Sequence, residues 1–291
     1  MGRTRLWCAI ATISTLAGAT ACAGQGTQQT GPPKGVSVSL NQWRSDETSH
    51  SIEVSVRNDT DASVRFADVR LVTASFAALP AEPVNTTVKR TPRVDLRIPY
   101  GEARCDPARI PQVRPATVIA HVQVGDGPLR EVRFPVRHPD PTLTALVNAE
   151  CGAFILRQSA NVTFGDTWTR EGRTLRGTVV VTRKGGDQPV TIDDLGGTTH
   201  FNVRPLSGRR RPVIVLGAGT PGLEIPVEIT PARCDWHAFA EAKKAYLFPV
   251  WATVGRGERH WLIATPSTAT QATFLSYAED VCGVGGETPG A

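Results

Sequence analysis

Ala103-Arg104-Cys105-Asp106 and Ala232-Arg233-Cys234-Asp235 are one tetrapeptide pattern written twice, each answered downstream by a Cys-Gly pair, Cys151-Gly152 and Cys282-Gly283. The cysteines stand 46 positions apart in the first copy and 48 in the second. An alternating segment leads into each: Val94-Asp95-Leu96-Arg97-Ile98 and Leu223-Glu224-Ile225-Pro226-Val227. Shared order, spacing and flanks mark a tandem duplication. Four cysteines permit three pairings. A copied unit carries its own staple, which selects Cys105–Cys151 and Cys234–Cys282. Closing loops of this length is worth about 3–4 kcal/mol on the chain-entropy model.

Outward from these motifs the pattern has period two. Val36, Val38 and Leu40 alternate, as do Ile52, Val54 and Val56, with Asn58-Asp59 and Leu79-Pro80 as punctuation. Thr117 to Val124 and Leu129 to Val136 flank Gly125-Asp126-Gly127-Pro128, a hairpin by its turn chemistry. The second copy repeats the script. Val179-Val181 and Val190-Ile192 flank Lys184-Gly185-Gly186-Asp187, Pro212–Leu216 pairs with Leu223–Ile229, and Gly255-Arg256-Gly257 joins Tyr246–Val254 to His260–Ala264. Short alternating strands at this spacing predict a mostly β protein: two tandem immunoglobulin-like β-sandwich modules, 36–152 and 161–283, each with short helices and one disulfide. Each module reads Trp, Cys, Cys (Trp43 and Trp168 lead), where an immunoglobulin domain reads Cys, Trp, Cys. The disulfide is therefore expected to tie a terminal helix to the end of a strand. Asp106-Pro107 predicts a one-turn helix stopped by Pro111, Asp140-Pro141 a short helix through Leu143, Leu146 and Val147, and Asp235 the cap of a longer, alanine-rich one. Phe274, Tyr277, Ala278 and Val281 fall on one face of a last helix.

The N-terminus sets the expected location. Arg3 and Arg5 precede an apolar run from Leu6 to Ala19, too short for a spanning helix but suited to a signal peptide over 1–21. Ala19-Thr20-Ala21-Cys22 resembles a bacterial lipobox, with Ala19 in place of the usual large aliphatic residue. Lipidation of Cys22 accounts for an otherwise odd thiol; plain secretion is the alternative. Residues 22–35 have the Gly, Gln, Thr and Pro content of a flexible tether, and 284–291 that of a frayed tail. The formal net charge of +5 is small and dispersed, which argues against nucleic acid.

Arg233-Cys234-Asp235, His237-Ala238, Ala240-Glu241, Lys243, Leu247-Phe248-Pro249 and the closing Cys282-Gly283 resemble a module of uncharacterised exported proteins from actinobacteria. The first copy departs from it, with Pro107-Ala108-Arg109 in place of Trp-His-Ala. The resemblance implies an envelope location and tandem Arg-Cys-Asp…Cys-Gly modules, and no chemistry.

Chemistry-bearing motifs are few. Gly217-Ala218-Gly219-Thr220-Pro221-Gly222 has the letters of a dinucleotide fingerprint, but an alternating segment with Pro226 follows where a helix must. It reads as a loop between strands, and no cofactor is expected. The six histidines show no metal-ligand spacing, and the one methionine is the initiator. Asp193-Asp194 reads as a turn, and Arg209-Arg210-Arg211 as a solvated hairpin tip. No nucleophile motif is present, so no catalytic residue is assigned. Trp236, Trp251 and Trp261 cluster in the second copy, with His237 and His260 each beside a tryptophan. Trp236, His237, His260 and Trp261 are the candidate binding residues. The expected function is a non-catalytic envelope lipoprotein, held to the membrane by its lipid, that presents a surface to an unknown envelope protein or cell-wall polymer. A secreted hydrolase with a site at the module junction and a carbohydrate-binding module are the alternatives.

Overall fold

The computed structural model describes residues 31–208, 211–235 and 244–283. Cys22, Trp236, His237 and the helix expected after Asp235 lie outside the described residues. The described chain is mostly β, built of antiparallel sheets with two α-helices.

The N-terminal half contains β1 (Val36–Asn41), β2 (Ser51–Asn58), β3 (Val64–Thr73), β4 (Glu82–Val88), β5 (Thr91–Pro99), β6 (Ala116–Val124) and β7 (Arg130–Pro135). They form two sheets, β1-β2-β5 and β4-β3-β6-β7. Ile52, Val54 and Val56 from one and Val64, Phe66, Val118, Val122 and Phe134 from the other meet in one apolar cluster. The C-terminal half contains β8 (Ala160–Phe164), β9 (Thr169–Glu171), β10 (Thr174–Arg183), β11 (Val190–Leu195), β12 (Phe201–Pro205), β13 (Ile214–Leu216), β14 (Gly222–Pro231), β15 (Phe248–Val254) and β16 (Arg259–Ala264). Its sheets are β12-β14-β10-β8, with β9 also on β10, and β13-β11-β15-β16. The order β1-β2-β5 thus recurs as β8-β10-β14, and β4-β3-β6-β7 recurs as β13-β11-β15-β16. Each half thus pairs its strands in a matching order.

One expected pairing is different in the structure. β13 and β14 do not pair with each other; β13 joins β11 and β14 joins β10 and β12. The Gly217–Gly222 connection therefore crosses from one sheet to the other. The segment around Lys184-Gly185-Gly186-Asp187 does the same between β10 and β11. Alternation marks a strand but is silent on which sheet takes it. The Gly125 and Gly255 hairpins form as expected, each with its glycine at positive φ.

Helix α1 (Pro141–Ser159) is the larger correction. Asp140 caps it by accepting from the Leu143 N–H at 2.9 Å, and Pro141 opens it. It does not stop near Cys151 but runs straight on to β8, across the residues expected to separate the modules. Leu143, Leu146, Val147 and Cys151 belong to the first core; Ala153 and Leu156 belong to the second. Nothing between Glu150 and Ser159 breaks a helix except Gly152, and a single glycine costs only about 1 kcal/mol there. Conversely, the one-turn helix after Asp106 does not form. Asp106 Oδ1 accepts from the Ala108 N–H at 2.8 Å, a local turn that competes with helix.

Helix α2 (Thr268–Cys282) buries Phe274, Tyr277 and Ala278, as the periodicity requires. Ser267 caps its start, and Gly283 ends it at φ 68°, the left-handed C-cap conformation. The Tyr277 hydroxyl donates to the Arg173 carbonyl at 2.6 Å and lies 3.2 Å from the Ile229 carbonyl, fixing α2 to the β10–β14 end of its sheet. Both disulfides have the expected pairing: Cys105–Cys151 and Cys234–Cys282, with Cα separations of 5.1 and 5.0 Å. The second ties α2 to the chain just past β14. The first reaches the middle of α1, since that helix is not terminal.

Candidate binding surface

The sheet β13-β11-β15-β16 has one face in the second core and one in solvent. Along β15, Phe248, Val250 and Ala252 point in, so Pro249, Trp251 and Thr253 point out. Along β16, Leu262 and Ala264 point in and Trp261 points out, 39% exposed. The register sets Trp251 directly opposite Trp261, and Pro249 opposite Ile263. Trp251 lies down rather than standing up. An ideal Cβ on Gly196 would come within 2.9 Å of its Cζ3 and within 2.6 Å of Pro249 Cγ, so the indole and the proline ring fill the space that glycine leaves. The Arg259 guanidinium sits 5.6 Å from the Trp251 ring centroid, within cation–π range.

The next rows of the same face are polar. The register between β11 and β15 slips between Ile192 and Asp194, a bulge that inserts Asp193 as an extra residue. The bulge turns both aspartates to the solvent side, so the expected Asp193-Asp194 turn is a kinked strand. Asp193 Oδ2 accepts from the Thr253 hydroxyl at 2.8 Å. Asp194 Oδ2 accepts from Arg211 Nε and Nη2 at 3.0 and 2.6 Å, and Arg259 Nη2 lies 4.0 Å from it. Two carboxylates and two guanidiniums thus border the indoles. Arg211, read as part of a solvated tip, is exposed and also reaches Asp194 on this face; Arg209 and Arg210 lie outside the described residues.

The candidate residues named from sequence do not all converge here. His260 is on the opposite side of β16 from Trp261. It packs on α1, where an ideal Cβ on Gly152 would be 3.1 Å from its Nδ1 and 3.2 Å from its Cβ. It is a helix contact. Trp236 and His237 fall outside the described residues. Trp251 is half-buried on the outer face as the cross-strand neighbour of Trp261, and that register cannot be read from one strand.

Other clusters have structural work to do. The glycine-rich loop after β13 is filled by Arg183, which donates to the carbonyls of Gly217, Thr220, Gly186 and Gln188 at 2.7–3.0 Å. The loop presents carbonyl oxygens to a cation, the reverse of what a pyrophosphate needs. At the junction of the two halves, Glu150 of α1 accepts from the Ala103 N–H at 2.9 Å and lies 3.1 Å from His50 Nε2. Burial, and then the negative charge of Glu150, push the Tyr100 hydroxyl far above its ordinary pKa. This acid–base pair clasps α1 to the end of β5 beside the Cys105–Cys151 bridge.

Over the outer face of β1-β2-β5, residues Gln42–Ser49 fold back as a strap. The Trp43 N–H bonds Asp46 Oδ2 at 2.8 Å, and its indole N–H bonds Asp95 Oδ2 at 3.2 Å under Arg93. Beneath lies Glu53, only 7% exposed. Burial pushes its carboxyl above the ordinary glutamate value, and Asp46 and Asp95 add to the push against Arg97 and Arg93. Burial acts upward on Asp95 too, but hydrogen bonds from Arg93, Ser55 and Trp43 outweigh it and hold that carboxyl low.

Among the described residues no three His, Cys, Asp or Glu side chains are grouped to hold a metal, and no helix is long and apolar enough to cross a membrane. No protein-family model matches the chain, and no curated protein matches it either. A search of solved structures finds red sea bream transglutaminase, at 10% identity and a TM-score of 0.23. The match covers 81% of this chain but 32% of that one, so this chain spans about a third of that protein's length.

Proposed function

We propose that the chain is an exported, lipid-anchored, non-catalytic protein of the actinobacterial type described above, made of two immunoglobulin-like modules, and that its ligand-binding surface is the outer face of β13-β11-β15-β16. The observation that carries this reading is the pair Trp251 and Trp261, opposed across two strands on the outer face of the sheet, with Trp261 39% exposed. Large aromatics placed on a sheet face outside the core are a feature of recognition surfaces. A tether of residues 22–35 explains the geometry. It joins β1 of the first module, which leaves the second module as the part farther along the chain from the membrane.

The catalytic alternative has one feature in its favour, the His50–Glu150 pair at the junction. That pair is engaged by Ala103 and Tyr100 and sits against a disulfide, which suits a clasp better than a proton relay.

The test has two arms. Cys22→Ser should move the protein from the membrane fraction to the medium; unchanged fractionation would leave secretion without a lipid. Washed actinobacterial cell walls should co-sediment the soluble form, and Trp251→Ala with Trp261→Ala should reduce that co-sedimentation at least tenfold without loss of the folded transition. Full retention by the double variant rejects this face as the binding surface.

A further inference from the structure

We propose that this face binds a neutral polysaccharide of β-linked pyranose rings, with Trp261 as the main stacking platform, Trp251 as the second, and the Asp193, Asp194, Arg211 and Arg259 border as its hydrogen-bonding rim. The inference rests on the binding-surface reading and names the ligand class for it.

The geometry supplies the platform. Directly opposed residues on antiparallel strands hold their Cβ atoms about 5 Å apart, so Trp261 and Trp251 are neighbours in one row of the outer face. Pro249 and Ile263 form the next row. Trp251 is folded down against Gly196 with the Arg259 guanidinium over its ring, so Trp261, the more exposed of the two, is the open platform. Pyranose rings with equatorial substituents present axial C–H groups on a flat face, and such faces stack on indoles. A sheet face is open at its margins, which suits a chain lying across it better than a small molecule that needs enclosure.

The charges define the ligand further. The rim holds two aspartates and two arginines whose formal charges cancel: Arg211 pairs with Asp194, Arg259 lies near Asp194 and over Trp251, and Asp193 accepts from the Thr253 hydroxyl. Such a border exerts little net field on an ionic partner, while its paired planar donors and acceptors match vicinal hydroxyls. A nucleic acid or a strongly acidic polymer would want unpaired arginines here. A protein partner held by this surface would be expected to show an apolar centre larger than two indoles, a proline and an isoleucine.

Affinity electrophoresis of the soluble protein in gels containing hydroxyethylcellulose, xylan or soluble starch tests the idea. One of the two β-linked polymers should retard the protein, and the α-linked starch should not. Retardation should persist in 0.5 M NaCl. Trp261→Ala should weaken binding at least tenfold and Trp251→Ala less, while Trp43→Ala, at the more exposed tryptophan of the first half, should leave binding unchanged. Failure of both β-linked polymers, or full binding by the Trp251→Ala/Trp261→Ala double variant with an unchanged melting transition, overturns the proposal. If the polymers fail but cell-wall co-sedimentation still depends on Trp261, the ligand class is wrong and the surface reading stands. If both fail, both readings fall.

Discussion

Glu53 is the residue whose environment is hardest to reconcile with a simple sandwich. It sits on the outer side of β2, where alternation would leave it in water, yet the Gln42–Ser49 strap covers it and sets it near Asp46 and Asp95. Its carboxyl is held above the ordinary glutamate value, so the native state binds a proton more readily than the unfolded chain does. The contribution to stability is then fully present below the unfolded pKa and is lost as pH rises through the folded one. Glu53→Gln removes that loss. The variant is expected to unfold at higher denaturant than the parent at pH 7, with the difference shrinking as the pH is lowered toward 4. A variant less stable than the parent at pH 7 would show that Glu53 is compensated by Arg93 and Arg97. Asp95 has the opposite sign: its depressed carboxyl contributes stability that is present above the ordinary aspartate value and is lost in acid.

At the scale of elements, the two Cys-Gly pairs show how one motif takes two roles. Gly283 ends α2 in the left-handed region, where a Cβ is strained whatever the space around it. Gly152 lies within α1 with ordinary helical geometry, and its missing side chain lets β16 approach through His260. Gly283→Ala should therefore cost about 1 kcal/mol and raise amide exchange only in the last turn of α2. Gly152→Ala gains helix propensity but forces His260 aside at both its ring and its Cβ, for a net cost of about 1–2 kcal/mol. Its signature is faster exchange along β16, and protection left intact there would rule out the close contact. Neither role is visible in the motif; only the sequence after each glycine differs, Ala153-Phe154-Ile155-Leu156 in one copy and Val284-Gly285-Gly286 in the other. The period-two strands, the final helix and both disulfides were legible because each depends on local pattern or on copying. Sheet membership of β13, the bulge at Asp193 and the reach of α1 were not, since tertiary packing decides all three. The same division holds at the candidate surface. Trp261 could be named from its neighbours in sequence, but its pairing with Trp251 requires the register.

For the whole molecule, α1 replaces the linker that a tandem duplication invites. Its first half is part of one core and its second half part of the other, with Glu150 and Cys151 fastened to the N-terminal half and Gly152 and Leu156 packed on the C-terminal half. A Lys244–Glu47 ion pair adds a second link between the halves. A helix that is rigid across its middle cannot be released from one core without disturbing the other, so the two halves should unfold together. Thermal unfolding followed at Trp43, with the other tryptophans changed to Phe, should coincide with unfolding followed at Trp168. Ala153→Pro should separate them. Proline there removes a helical hydrogen bond and clashes one turn back, at a cost of about 3 kcal/mol or more, and that cost falls at the boundary between the cores. The expected result is two transitions, with the Trp168 half melting first because Leu156 loses its support. Two well-separated transitions in the unmodified chain would mean that α1 is a passive connector, and the orientation of the proposed binding face relative to the tether would then be set by solution flexibility rather than by the fold.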